Sequence, residues 1–317
     1  TVDYDKTVEQ LYTYVTEKWN KKANIKLTAT TTVSKPKYTT EDCEKVSNEP
    51  MGSYTTEFSV GSSYANRNLN IQNGAKLING AVVYPGEQYS CNENLYPWTE
   101  DNGWHPAGTY VDGGVQDSLG GGICQVSSTL YNALLRAEIK VVKRFPHSMA
   151  VGYVPLSADA ALAGDYKDLV FENDTDAPIY VQGIYNSGGS ITFNIYGHDT
   201  RKAGHSVKYE SKTVKTTPVK TQTKKDSSKP VGYSEVESSG HVGYVAELWK
   251  ITYENGKQVS KELIHTSTYA MSPTIVVKGT KKASTTTKKD DSDKDDKKSS
   301  EKTTKKSTSS KKSKKSE

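Results

Sequence analysis

The stretch GGGICQVSSTLYNALLRA, residues 120–137, decides how the chain is read. Three consecutive glycines precede a run in which Val126, Leu130, Leu134 and Ala137 recur at helical spacing with Ala133 beside them, and neither Gly nor Pro interrupts residues 123–139. This pattern predicts an amphipathic helix that begins at the glycines. Cys124 then falls in its first turn, where unpaired N–H groups and the positive end of the macrodipole favour an anion. A thiol placed there has a lowered pKa. Gly121 and Gly122 take side chains away in front of it, which opens the backbone to an extended substrate, and the N–H groups around Cys124 and Gln125 are expected to face a developing oxyanion.

A cysteine nucleophile needs a base, and His147 in KRFPHSMAVGYV follows a predicted strand through Val141 and Val142. Helix, strand, then histidine is an order that brings a helix-borne Cys against a strand-borne His. The third, orienting group is Asp159, Asp168 or Asn173, and the sequence does not choose among them. A metal site built from Cys124, His147 and His105 lacks any ligand pair at the usual short spacing. The glycines lack the Gly-Lys-Ser/Thr ending of a phosphate loop. No metal and no cofactor is expected.

Working outward, residues 7–21 place Val8, Leu11, Tyr12, Val15 and Trp19 on one predicted buried helical face, and Ile25, Leu27 and Ala29 alternate as a strand. Residues 64–79 predict a second helix, carrying Leu69, Ile71, Ala75 and Ile78 and capped by Gly80. VVYPGEQYS reads as strand, Pro-Gly turn and strand, and residues 177–197 as a hairpin around Asn-Ser-Gly-Gly. Residues 242–278 are β-rich, with Trp249, Ile251 and Tyr253 alternating into an Asn255-Gly256 turn. The fold class is therefore α+β: residues 1–54 lead into a catalytic domain at 55–198 with the helix-borne Cys against a β-sheet. A small all-β domain follows at 205–279, and a tail at 280–317.

Only 33% of the residues are hydrophobic, and the net charge of +5 is a misleading average. Residues 281–317 hold fourteen Lys against seven Asp and Glu, so the rest of the chain is nearly neutral. A nucleic-acid partner has little support in such a body. The tail, rich in Lys, Ser and Thr and without an aromatic residue, is expected to be disordered and to meet anionic polymers by charge alone. No window approaches the ~18 to 20 apolar residues of a membrane span. The chain starts Thr-Val-Asp without Met, and the expectation is a mature or excised product whose anchor or signal segment is not in this chain.

The runs NRNLNIQNGAKLINGAVVYPGEQYSCNENL, GGGICQVSSTLYNALLRAEIKVVKRFPHS, VGYVPLSADAAL and DLVFENDTDAPIYVQG resemble the VanW family over about residues 55–198. GYVAELWKITYENGKQVSKELI and PTIVVKGT are similar to the G-five β domain. The resemblance implies an extracellular protein of the Gram-positive cell envelope and L,D-transpeptidase chemistry, forming 3-3 cross-links between peptidoglycan stem peptides through a Cys124 thioester. It maps Cys124 and His147 onto the motif cysteine and histidine, and Asp159 and Asp168 onto recurrent acidic positions. The alternatives are a wall cysteine endopeptidase or carboxypeptidase and a noncatalytic wall-binding protein. Arg67 is a candidate for binding a substrate carboxylate and Trp104, with Trp98 and His105, for lining the groove; the β domain is a candidate for contact with glycan strands. Where the family has an aromatic residue, this chain has Ser90-Cys91-Asn92, which supports a disulfide between Cys91 and Cys43.

Overall fold

The glycine-cysteine helix is enclosed on nearly every side. In the computed structural model, which describes residues 1–22, 24, 26–33, 38–111 and 114–282, the chain opens with α1 (Tyr4–Thr13), continued by a π-helical turn (Tyr14–Lys18), and then α2 (Thr40–Glu44). Next come β1 (Gly52–Glu57), α3 (Ala65–Ile78), β2 (Ala81–Val83), β3 (Gln88–Ser90), α4 (Cys91–Leu95), β4 (Pro106–Val111), β5 (Gly114–Leu119) and α5 (Ile123–Ala137). β6 (Lys140–Lys143), β7 (Val170–Glu172), β8 (Ile179–Asn186) and β9 (Ser190–Tyr196) complete this mixed part. Beyond it lie only strands: β10 (His205–Thr217), β11 (Thr221–Pro230), β12 (Ser234–Ser238), β13 (Gly243–Glu254), β14 (Lys257–Tyr269) and β15 (Thr274–Lys281).

A four-stranded antiparallel sheet in the order β1-β9-β8-β2 carries α5 across β1 and β9 and α3 across β8. Its inward residues Ile179, Val181, Ile191, Phe193 and Ile195 alternate along β8 and β9 and are fully buried, meeting Ile71, Ala75 and Ile78 of α3 and Val126, Leu130 and Leu134 of α5. A smaller sheet, β3-β7-β6, closes one flank. In the C-terminal part, β10-β13-β14 is antiparallel, whereas β11 joins β15 in parallel. Opposite Leu248 and Trp249 the extra residue Ile264 makes a bulge in β14, and along β13 burial passes from Ala246 and Leu248 on one side to Ile251 on the other.

α5 departs from the one-sided helix that its apolar spacing predicts, because thirteen of its fifteen residues are buried, Gln125, Ser127, Ser128, Thr129 and Asn132 among them. An irregular strap through residues 154–163 covers the second face and satisfies Ser127, Ser128 and Asn132, while Gln125 and Thr129 pair with Thr56 of β1. Ser127 donates to Ala160 O at 2.7 Å, Asn132 donates to Ala158 O at 2.7 Å, and Ala160 N–H donates to Ser128 Oγ at 2.9 Å. A fully enclosed helix tolerates hydroxyls and amides only when each is paired in this way.

The N-terminal expectations are corrected. The apolar stripe of α1 forms, but no described element covers it: Leu11 is 47% and Tyr12 71% exposed. Of the predicted strand, Ile25 lies outside the described residues, and the neighbouring backbone makes a single bridge, Val2 to Thr31. Cys43 and Cys91 are both free; Cys91 is sealed in the core at the start of α4 while Cys43 is exposed on α2, so the expected disulfide is not made. The tail from residue 283 lies outside the described residues. Among those described, no helix is long and apolar enough to cross a membrane.

Candidate active site

Cys124 is the second residue of α5, and its Sγ lies under the strap, where Leu162 N–H donates to it at 3.4 Å. His147, on the loop after β6, lines the same cavity and acts on the thiol electrostatically. His147 Nδ1 is 2.6 Å from Asp159 Oδ2, which also accepts the His147 backbone N–H at 2.7 Å, so one carboxylate oxygen fixes both the ring and its main chain. The second oxygen accepts from Arg144 Nη2 at 2.7 Å and from the Tyr269 hydroxyl. Asp159 is carried by the irregular strap, Arg144 and His147 by the chain leaving β6. Of the three orienting groups left open by the sequence, the structure brings Asp159 to the histidine.

Asp168 and Asn173 do other work. Asp168 accepts from Ser90 Oγ at 2.6 Å and from Asn92 N–H at 3.0 Å, tying down the start of α4. Asn173 Nδ2 donates to Val83 O and Ala177 O, closing the β7–β8 turn. Asp168 is therefore a fold residue, and its expected place beside the cysteine is corrected.

The electrostatics follow from burial and charge together. Burial opposes ionisation of the Cys124 thiol, but the His147 ring and the Leu162 N–H outweigh it, and its pKa is lowered. Desolvation disfavours the imidazolium, yet Asp159 and Cys124 raise the His147 pKa to about 9. Asp159 itself, though desolvated, is held well below the usual carboxylate range by His147 and Arg144. The two shifts act in the same direction, favouring a thiolate–imidazolium pair over a buried carboxylate.

The glycines shape the floor in front of the thiol. A Cβ on Gly121 would stand 2.5 Å from Ala107 O, and one on Gly122, whose φ is +106°, would stand 2.9 Å from Arg67 Cγ. Asn70, fully buried on α3, clamps this turn: its Nδ2 donates to His105 O and Gly121 O, and its Oδ1 accepts the His105 N–H. Gly121 is thus pressed against protein rather than open to a substrate, and its expected contact role is corrected; Gly122 lines the cavity. Gln125 is likewise committed: its N–H bonds Gly122 O at 3.0 Å, Nε2 bonds Thr56 and Glu57, and Oε1 accepts from Arg67 Nη2 at 2.7 Å.

The cavity above Cys124 has a volume of about 790 Å³. Among the described residues, Arg67 and Lys167 are its charged lining side chains beside His147, with no Asp or Glu, and Trp98, Tyr153 and Tyr166 supply aromatic surface. Trp104 is not among them: it is completely buried, donates to Leu95 O and supports Trp98 at a ring distance of 5.0 Å. His105 also lies outside this lining. Sequence reasoning missed Arg144, Tyr153 and Tyr269. Tyr153 OH lies 3.4 Å from His147 Nε2 and was visible in VGYV only as an aromatic.

Residues 66–196 match the family described as VanW like protein, and residues 208–281 match the G5 domain. The chain carries a VanW-like domain followed by a G5 domain. Cys124, His147 and Asp159 all fall in the VanW-like domain, whereas Tyr269 belongs to the G5 domain. The chain is 37% identical over 164 residues to the uncharacterized protein YoaR of Bacillus subtilis, covering 52% of this chain and 53% of that protein. It is 28% identical over 116 residues to the vancomycin B-type resistance protein VanW of Enterococcus faecalis, covering 35% and 42%. The chain thus spans about half the length of the curated relatives it matches. The structure of the IgA1 protease G5 domain aligns at 30% identity, covering 26% of this chain and 96% of that one, with a TM-score of 0.20.

Proposed function

We propose that this chain is a cysteine acyltransferase of the cell wall, an L,D-transpeptidase acting on peptidoglycan stem peptides. The observation that supports it is the Cys124–His147–Asp159 arrangement beneath a cavity whose charged lining is cationic. The thiolate attacks the carbonyl carbon of the third stem residue, with the Cys124 N–H at the helix start facing the oxyanion. His147 gives its proton to the departing D-Ala amine, leaving a thioester on Cys124. The amine of a second stem then attacks the thioester carbonyl; His147 takes the amine proton, a new amide forms and the thiolate leaves, which restores the starting pair. Arg67 and Lys167 suit the carboxylate at the end of the donor stem. The sequence match to VanW-type proteins supports the cell-wall setting, and the G5 domain and basic tail are the proposed contacts to glycan strands and anionic wall polymers.

The test is incubation with purified disaccharide-tetrapeptide and mass spectrometry of the products. A cross-linked dimer that disappears in Cys124→Ala is the expected result. A shortened monomer without dimer makes the protein a wall peptidase, with water as acceptor. Unchanged substrate makes it a noncatalytic wall-binding protein, and dimer formation by Cys124→Ala refutes the nucleophile.

A further inference from the structure

The end of β14 enters the back of the site. Tyr269, 3% exposed, places its hydroxyl between Ser157 N–H, which donates to it at 2.6 Å, and Asp159 Oδ1, to which it donates. One residue on, Ala270 N–H donates at 2.7 Å to the carbonyl of Ser148, the neighbour of His147. Ser267, 1% exposed, meets Arg144 Nη1 and Ser157 Oγ, both at 2.8 Å. His265 bridges Ser157 Oγ and the Tyr131 hydroxyl of α5. Four successive or alternate residues of the G5 domain thus bond to the Asp159 strap, to its arginine and to the histidine loop.

We propose that Tyr269 is a positioning residue for the Cys–His–Asp site, which makes the G5 domain a part of the catalytic unit rather than an appended binding module. The inference rests on the assignment of Cys124, His147 and Asp159 given above. The physical case is the carboxylate's four acceptor directions. The His147 ring and backbone take two on Oδ2, and Arg144 and Tyr269 take two on Oδ1. A carboxylate bonded at all four cannot rotate, and the imidazole attached to it keeps a fixed orientation in the cavity that it shares with Cys124. The hydroxyl has no freedom of its own, because Ser157 N–H occupies its lone pair and directs its proton to Asp159. Ser157 is held in the left-handed region at φ +68°, a conformation that few non-glycine residues adopt, so this donor depends on the same packing.

The experiment uses the full chain. Tyr269→Phe keeps the ring and removes the hydroxyl; Tyr131→Phe removes a bond across the same interface without touching Asp159. Iodoacetamide alkylation of Cys124 is followed by mass spectrometry, and kcat and KM are measured on disaccharide-tetrapeptide. Cys91, sealed in the core, serves as the folding control, since it stays unalkylated while the protein is folded.

Tyr269→Phe is expected to slow alkylation and to lower kcat about tenfold at unchanged KM, the loss of one hydrogen bond to a charged group. Tyr131→Phe is expected to leave both rates within about twofold while lowering the melting temperature. Native rates in Tyr269→Phe overturn the proposal, as do equal losses in both variants. A native Cys124 no more reactive than Cys43 overturns it too, because there is then no activated pair to position. If the native chain leaves the tetrapeptide unchanged yet Tyr269→Phe slows alkylation, the positioning role stands and the transpeptidase reading falls.

Discussion

Replacing Asp159 with Asn isolates what the buried carboxylate does, because size is kept and charge removed. Asp159 Oδ2 accepts two N–H groups of His147, at 2.6 and 2.7 Å, and Oδ1 accepts from Arg144 and Tyr269. An amide has a single acceptor oxygen, so whichever way it lies its NH2 faces two donors. If the NH2 faces His147, the ring loses its partner or turns its Nδ1 into an acceptor, and Nε2 then carries the proton that it should take from the thiol. If it faces Arg144, a guanidinium whose side chain is only 6% exposed loses its acceptor as well as its counter-ion. The first outcome removes at least one charge-assisted hydrogen bond, of about 1.5–3 kcal/mol, and so about a tenfold to hundredfold loss of thiolate at neutral pH. The second strands a buried charge at a cost of about 3–5 kcal/mol of stability.

The sign of the pH effect is fixed by the chain of partners. Asp159 helps raise the His147 pKa to about 9; without it the imidazole is neutral at lower pH and burial pushes the Cys124 thiol up, an effect larger than the direct repulsion between Asp159 and the thiolate that is lost with it. Alkylation of Cys124 by iodoacetamide from pH 5 to 10 reads this directly, with urea melts on the same samples. The midpoint is expected to move to higher pH and the unfolding midpoint to fall. An alkylation profile superimposable on the native one refutes the argument that Asp159 acts through His147.

Gly121→Ala brings a Cβ to 2.5 Å from Ala107 O, so β4 or α5 must shift; a loss of about 1–3 kcal/mol is expected in denaturant melts. Asp168→Ala removes the acceptor of Ser90 Oγ and Asn92 N–H and is expected to cost about 1–2 kcal/mol while leaving the alkylation rate of Cys124 native. A rate collapse there returns Asp168 to the site. His265 is held to a pKa of about 4 by burial and by Arg144, so the unfolded chain, titrating near 6.5, takes up a proton first. Its contribution to stability is complete above about pH 6.5 and is lost as pH falls toward 4, and urea midpoints should drop over that window more in the native chain than in His265→Gln.

The elements legible in the sequence are those whose own periodicity decides them. α3 and α5 carry apolar residues at helical spacing, and β8 and β9 alternate on either side of a glycine turn. The Cys124–His147 pairing followed from helix, strand and loop in short succession. Asp159 was not separable from Asp168 because its placement comes from a strap with no periodic signal, packed on the second face of α5. Tyr269 was beyond reach for the same reason at longer range, since 110 residues separate it from the carboxylate it bonds. α1 shows the converse: its stripe predicts a buried face, but a stripe does not say what covers it.

The Asn70 clamp alters what the three glycines mean. A run of glycine suggests a hinge, yet here the turn is bonded to α3 and pressed against β4 and Arg67, with no room for a methyl group at Gly121 or Gly122. Such a floor behaves as a casting that is set before any ligand arrives. A peptide entering above Cys124 then loses its own freedom but imposes little ordering on the protein, so selectivity among stems rests on shape rather than on loop closure. A cyclic or otherwise stiffened peptide mimic should gain affinity here in a way that it would not against a mobile loop.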